Sequence, residues 1–249
     1  MSVGAKIIYS KLMRAVQVIF YGILILVVAC SSPDLVQISG QSYFPLRVGN
    51  YWIYQVKEID ISHISCSDTT TIRKNYQVKM LVYDSVQNTD GSYTYHIHRY
   101  TKSDTSQTWT DLDTWSARID NNQVIVNEEN VPYVKFIFPF SNNLTWDGNV
   151  YNNLGEDDYV LKNYNTSYVI NRVADKLNYP FTLTVVQSDN QDYFVHLDER
   201  SEVYTAYTGL LYKSTTQLTY FQDPCYGEQK VQTGLIYTQT LIGGGYEHK

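Results

Sequence analysis

After residue 42 no segment of this chain sustains apolar residues at a spacing of three and four, whereas segment after segment alternates at every second position. The period decides the element, because one face of a strand recurs every two residues and one face of a helix every 3.6. The stretch YQVKMLVY (76–83) alternates until its apolar end. YTYHIHRY (93–100) places Tyr93, Tyr95, Ile97 and Arg99 on one face and Thr94, His96, His98 and Tyr100 on the other. Asp90-Gly91 between the two is a tight-turn signal and predicts a hairpin. WSARI (115–119) and QVIV (123–126) flank Asp120-Asn121-Asn122, and TLTVVQ (182–187) and YFVHL (193–197) flank SDNQ (188–191), two more hairpin patterns. With 24 Tyr against 8 Phe the chain is rich in a residue that suits half-buried strands. The expectation is one antiparallel all-β domain over residues 43–242, as a curled sheet, half-barrel, barrel or sandwich. A tail over 243–249 (GGGYEHK) is expected to fray.

Residues 1–29 read differently. Lys6, Lys11 and Arg14 precede an apolar run from Ala15 to Ala29, and no acidic residue occurs before Asp34. The run is short of the ~20 residues of a transmembrane helix and has the flanks of a signal-peptide core. It ends in Leu26-Val27-Val28-Ala29-Cys30, which resembles the bacterial lipobox. That resemblance implies cleavage before Cys30 and acylation of its thiol and freed amine, palmitate being one such chain. Several acyl chains, at ~0.8 kcal/mol per buried methylene, anchor stably where one would not. The expected location is the cell envelope, on the outer membrane, with the periplasmic and surface faces both open. Residues 30–42 (CSSPDLVQISGQS) read as a flexible tether.

Charge and cysteine content then narrow the partners. Removing the three cations Lys6, Lys11 and Arg14 from 19 Lys+Arg leaves 16 against 25 Asp+Glu, a charge of −9. Such a body offers no basic surface for nucleic acid and does not lie flat on anionic lipid. With Cys30 lipidated, Cys66 and Cys225 are left, and an even pair in an oxidising compartment predicts a disulfide.

Two motifs look familiar together: Tyr43-Phe44-Pro45-Leu46 … Gly49-Asn50-Tyr51-Trp52-Ile53-Tyr54 at the start, and Glu202-Val203-Tyr204-Thr205-Ala206-Tyr207-Thr208-Gly209-Leu210-Leu211-Tyr212-Lys213 near the end. Following a lipobox, they resemble uncharacterised lipoproteins of Bacteroidetes-type bacteria in which such segments bracket an antiparallel β domain. The resemblance implies fold and location and carries no catalytic residue. Thr233-Gly234-Leu235-Ile236-Tyr237 echoes the late motif, as adjacent strands of one meander, each begun at a glycine turn.

Residues able to carry chemistry are few. His96 and His98 share a strand face and, with His196, supply three nitrogens without a recognised zinc spacing. Acidic pairs occur at Asp111/Asp113, Glu128/Glu129 and within Glu156-Asp157-Asp158, and these read as solvated turns. Trp109, Trp115 and Trp146, each beside Asp or Asn, are candidates for stacking on sugar rings. The chain shows no GxSxG, no Gly-rich phosphate loop and no catalytic Cys-His pattern, and no cofactor is expected. The leading functional reading is a non-catalytic, lipid-anchored envelope module that presents a binding surface to a protein or glycan. Two alternatives stay open: a carrier holding a lipid or other hydrophobic ligand in a half-barrel, and a glycan hydrolase using paired carboxylates.

Overall fold

The computed structural model describes residues 38–68, 70–103, 108–171, 176–192 and 194–247. The signal segment, Cys30 and most of the tether lie outside the described residues. A 3₁₀ turn at Gly40–Tyr43 leads into twelve strands. They are β1 (Asn50–Ser62), β2 (Thr71–Gln87), β3 (Tyr93–Lys102), β4 (Thr110–Asp120), β5 (Gln123–Glu128) and β6 (Val131–Ile137). Then follow β7 (Thr145–Asp147), β8 (Asp158–Asn171), β9 (Lys176–Asp192), β10 (His196–Thr205), β11 (Gly209–Tyr220) and β12 (Val231–Tyr246).

All pair antiparallel in a single sheet ordered β6-β5-β4-β3-β2-β1-β12-β11-β10-β9-β8-β7. The sheet curls into a nearly closed barrel. Its first and last strands are hydrogen-bonded to each other, so the seam falls in mid-chain between β6 and β7. There the Val134 N–H donates to the Gly148 carbonyl at 2.9 Å, and the Trp146 indole N–H to the Val134 carbonyl at 2.8 Å.

Register fixes what faces the interior. Tyr54, Val56 and Glu58 of β1 stand opposite Leu241, Gln239 and Tyr237 of β12. Gln239 stands opposite Lys213 of β11, and Lys213 opposite Glu202 of β10. One row further along, Tyr237 faces Thr215 and Thr215 faces Arg200. Successive inward rows therefore change from apolar to polar along the barrel axis, and the period-2 rule applies to both kinds.

The apolar end is plugged by the segment before β1. Phe44 meets the rings of Phe136 and Tyr204 at 6.2 and 6.5 Å, and Tyr43 is buried against Phe140 at 5.3 Å. Gly40 is required there, since a Cβ would lie 2.3 Å from the Phe138 ring. The two motifs noted in the sequence pack on each other. The Trp52 indole N–H donates to the Thr208 carbonyl at 2.6 Å, and the Tyr54 hydroxyl to the Leu210 carbonyl at 3.2 Å. Gly209, at φ +90°, passes beside Pro45. Bulges in the β8–β9 hairpin bring Tyr168, Ile170 and Tyr179 against Val203, Leu211 and Leu241.

The opposite end carries the loops 63–70 and 221–230, tied by the Cys66–Cys225 disulfide with a Cα–Cα distance of 6.3 Å.

Four expectations are corrected. The tail is not frayed over 243–246: Gly243 to Tyr246 pair with Ile53 to Asn50, and Gly244 and Gly245 leave room against Tyr51, where a Cβ would come within 2.9 Å of its carbonyl and 3.1 Å of its hydroxyl. Gly40 to Ser42 belong to the plug and not to a tether, the Ser42 carbonyl accepting from the Tyr207 N–H at 2.7 Å. SDNQ (188–191) lies inside β9 and the turn follows Asp192, because Ser188 and Asn190 find partners at Asp198 and His196 across the ladder. Gly234 lies within β12 and makes no turn, since a Cβ there would meet the Gln217 carbonyl at 2.5 Å.

Candidate functional site

Between the two ends of the barrel lies a layer of ion pairs. Lys135 of β6 donates to Glu202 at 2.9 Å and reaches Glu128 of β5 at 2.7 Å. Lys213 of β11 lies 3.2 Å from Glu202 and 3.8 Å from Glu128, and the Tyr204 hydroxyl donates to the second Glu202 oxygen at 2.5 Å. Glu202 is 2% exposed and Lys135 6%, so these charges are held by one another and not by water. Burial pushes the Glu202 carboxyl up, but Lys135 and Lys213 outweigh it and hold it well below the ordinary carboxylate range. Glu128 moves the same way for the same reasons. Burial and the neighbouring Glu202 together drive the Tyr204 hydroxyl far above its usual value.

On the plugged side of this layer, space of about 60 Å³ remains among Phe44, Trp52, Met80, Trp115 and Leu210. Small-molecule sites run to about 300–1,000 Å³. The apolar end is filled by the protein's own side chains.

On the open side the same three residues, Glu128, Lys135 and Lys213, form the floor of a cavity of about 380 Å³. Its walls are polar and come from β6, the loop before β8, β9, β10 and β11. Arg200 grips two carboxylates: its Nε and one terminal nitrogen donate to Asp198 at 2.8 and 2.9 Å, and both terminal nitrogens donate to Asp157 at 2.9 and 3.3 Å. Gln187, Thr215, Tyr159 and Tyr133 line the remainder, with exposed Leu154 at the rim. Burial raises the Tyr159 and Tyr133 hydroxyls, which therefore stay protonated hydrogen-bond donors.

The residues singled out in the sequence fall elsewhere or take other roles. Trp146 is buried with its indole N–H bonded to Val134, which leaves no ring face for a sugar. Trp115 turns inward and lies under the Arg99 guanidinium at 3.9 Å, with Arg99 in turn bonded to Asp113 at 2.8 Å. Burial raises the Asp113 carboxyl, and Arg99 opposes it without cancelling the effect. Trp109 is half-buried, with the Lys102 ammonium 4.4 Å over its ring. His96 pairs with Asp84, His98 stacks on Tyr83 at 4.2 Å, and His196 meets Asn190. Among the described residues no group of three His, Cys, Asp or Glu is placed to hold a metal.

The acidic clusters split. Asp111, Glu129, Glu156 and Asp158 are exposed as expected, whereas Asp113, Glu128 and Asp157 turn inward to Arg99, to Lys135 and Lys213, and to Arg200. Lys135, Arg200 and Gln187 were not picked out by sequence reasoning, and Glu202 and Lys213 entered only as parts of the late motif, with no role assigned. Their signal was there in weak form. Lys135 stands between Val134 and Phe136, and Glu202 and Lys213 each stand two residues from a core position, so isolated charges of both signs occupied inward positions of alternating strands.

No protein-family model matches the chain, and no curated protein matches it. Two solved structures are among those similar to it. A candidate lipoprotein of Parabacteroides distasonis aligns over 82% of this chain and 98% of its own at 11% identity, with a TM-score of 0.41. A candidate exported protein with a YmcC-like fold from Bacteroides fragilis aligns over the same shares at 8% identity, with a TM-score of 0.43. Identities this low transfer neither a residue nor an activity.

Proposed function

We propose that this protein is a lipid-anchored module of the cell envelope, held to the outer membrane through acylated Cys30, whose barrel binds a polar partner or ligand at its open end without transforming it. One observation carries the choice among the three readings: the interior on the plugged side of the ion layer is filled, and the cavity of about 380 Å³ on its other side is polar and open. A carrier of acyl chains needs the reverse arrangement. A carboxylate-dependent hydrolase needs an acid with a raised pKa facing a second carboxylate. Here Glu128 at the cavity floor and Glu202 in the ion layer are both held low by lysines, and Asp157 is committed to Arg200.

The anchor is supported by the charged start, the apolar run and Ala29-Cys30. A Cys30→Ser protein should stay unprocessed and take up no labelled fatty acid, and labelling equal to wild type would overturn the anchor. Native mass spectrometry of the full chain purified from its own envelope tests the binding role. Diacyl lipid bound beyond the covalent anchor would replace the module with the carrier.

A further inference from the structure

Every charge that reaches the open cavity is already matched. Lys135 and Lys213 face Glu128 and Glu202, and Arg200 has all three guanidinium nitrogens engaged by Asp157 and Asp198. No cation is left to meet a phosphate or carboxylate, and no carboxylate is left to meet an amine. The groups still unpartnered are uncharged. Gln187 and Thr215 line the cavity and are each more than nine-tenths buried as residues, while their side-chain polar atoms make no hydrogen bond to a described residue and keep access to the cavity. The Tyr159 and Tyr133 hydroxyls face the same space, also without a protein acceptor. An amide that both donates and accepts, with three hydroxyls that do the same, complements a ligand whose own groups both donate and accept. Hydroxyl-rich neutral molecules have that property, and the volume of about 380 Å³ falls within the range of small-molecule sites. The Tyr133 ring adds one apolar surface to an otherwise polar wall.

We propose that the open end of the barrel binds an uncharged saccharide, held by Gln187, Thr215, Tyr159 and Tyr133 above the Glu128/Lys135/Lys213 floor. This rests on the binding role proposed above and names its ligand class. It moves the sugar-binding function away from Trp109, Trp115 and Trp146 to residues without an indole.

The test uses the full chain in a detergent without a sugar headgroup, titrated by calorimetry and by saturation-transfer NMR. The probes are glucose, galactose, mannose, N-acetylglucosamine and lactose, with glucuronate and inorganic phosphate as charged counterparts. At least one neutral sugar should saturate a single site. Gln187→Leu and Thr215→Val should each weaken it about tenfold, the loss of one buried hydrogen bond. Trp109→Ala should leave the affinity unchanged. Thr215→Val keeps the side-chain volume, and an unchanged thermal midpoint shows that the barrel is intact. Failure of all five sugars at millimolar concentration would overturn the proposal. So would tighter binding of phosphate or glucuronate, or full affinity in both variants. None of these results touches the wider binding role, which co-purified lipid would overturn.

Discussion

The two ends of this barrel are built on the same strands and held by opposite physics. At the plugged end Phe44, Trp52, Phe136, Tyr204 and Leu211 exclude water, and stability there follows apolar area. Toward the open end Lys135, Glu202, Lys213 and Arg200 also turn inward, where the first three depend on partners from other strands and Arg200 on Asp198 of its own strand and Asp157 of the loop before β8. Inward facing and apolar are separate properties. A strand pattern specifies the first, and only the neighbours across the barrel decide whether a charge can take the place of the second.

The disulfide gives the largest contrast, because the plugged end has no covalent tie among the described residues. Cys66 and Cys225 close a loop of 159 residues, worth up to ~5 kcal/mol in the chain-entropy model. Cys66→Ser/Cys225→Ser should lower the urea midpoint accordingly. A change below about 1 kcal/mol would mean that the plug end alone organises the unfolded chain.

Next comes Lys135→Met, which leaves Glu128 and Glu202 to share Lys213. Breaking a buried pair in this way costs about 3–5 kcal/mol. Lys135→Met/Glu202→Leu should recover most of the loss, since it removes charges in balance. By comparison Leu211→Ala, at the apolar end, costs about 2–5 kcal/mol, with no partner change that restores it. Chemical denaturation of the three variants separates the two behaviours.

Acid sharpens the difference further. Glu202 and Glu128 are held below their usual value of 4.5 in the folded protein. Their contribution is therefore complete above that value and declines as pH falls below it, where the unfolded chain takes up protons first. The stability gap between wild type and Glu202→Gln should shrink from pH 6 to pH 3, whereas the gap to Leu211→Ala should stay constant. Parallel shifts in both would show that the ion layer does not titrate as a unit.

The smallest effect belongs to the contact between the two sequence motifs. Trp52→Phe removes the indole N–H from the Thr208 carbonyl and should cost about 1–2 kcal/mol, read as a shift in the thermal midpoint. A loss no larger than that of an exposed Trp109→Phe would show the bond to be incidental.

Much of the fold was legible. Alternation at 76–83 and 93–100, with the Asp90-Gly91 turn, placed β2 and β3 correctly, and cysteine parity gave the disulfide. Boundaries failed where local chemistry and pairing disagree. The glycines at 243–245 look like a frayed end, yet all three pair with β1 and Gly244 and Gly245 permit close approach to Tyr51, and Ser188 to Gln191 look like a turn although the β9–β10 ladder pairs them. The cavity was illegible for a different reason. Gln187, Arg200 and Thr215 lie on three strands, and nothing along the chain says that a nearly closed barrel will bring them to one wall.

The pairing of β1 with β12 sets the order in which this molecule can be completed. One edge of β1 pairs with β2 early, but its other edge, from Tyr51 to Ser62, finds its partners only when Thr233 to Gly245 exist, and Trp52 and Tyr54 wait for carbonyls 156 residues away. The plug is made first and seated last. Until the final strand has emerged, the β1 edge, with Trp52, Tyr54 and Val56, stays unpaired. Closing so long a loop before any contact rewards it places this chain among slow folders, in the millisecond-to-second range typical of non-local β topologies. The barrel thus closes only once the last strand has been made, and a chain truncated before β12 should be a target for chaperones and proteases whatever the quality of its other eleven strands.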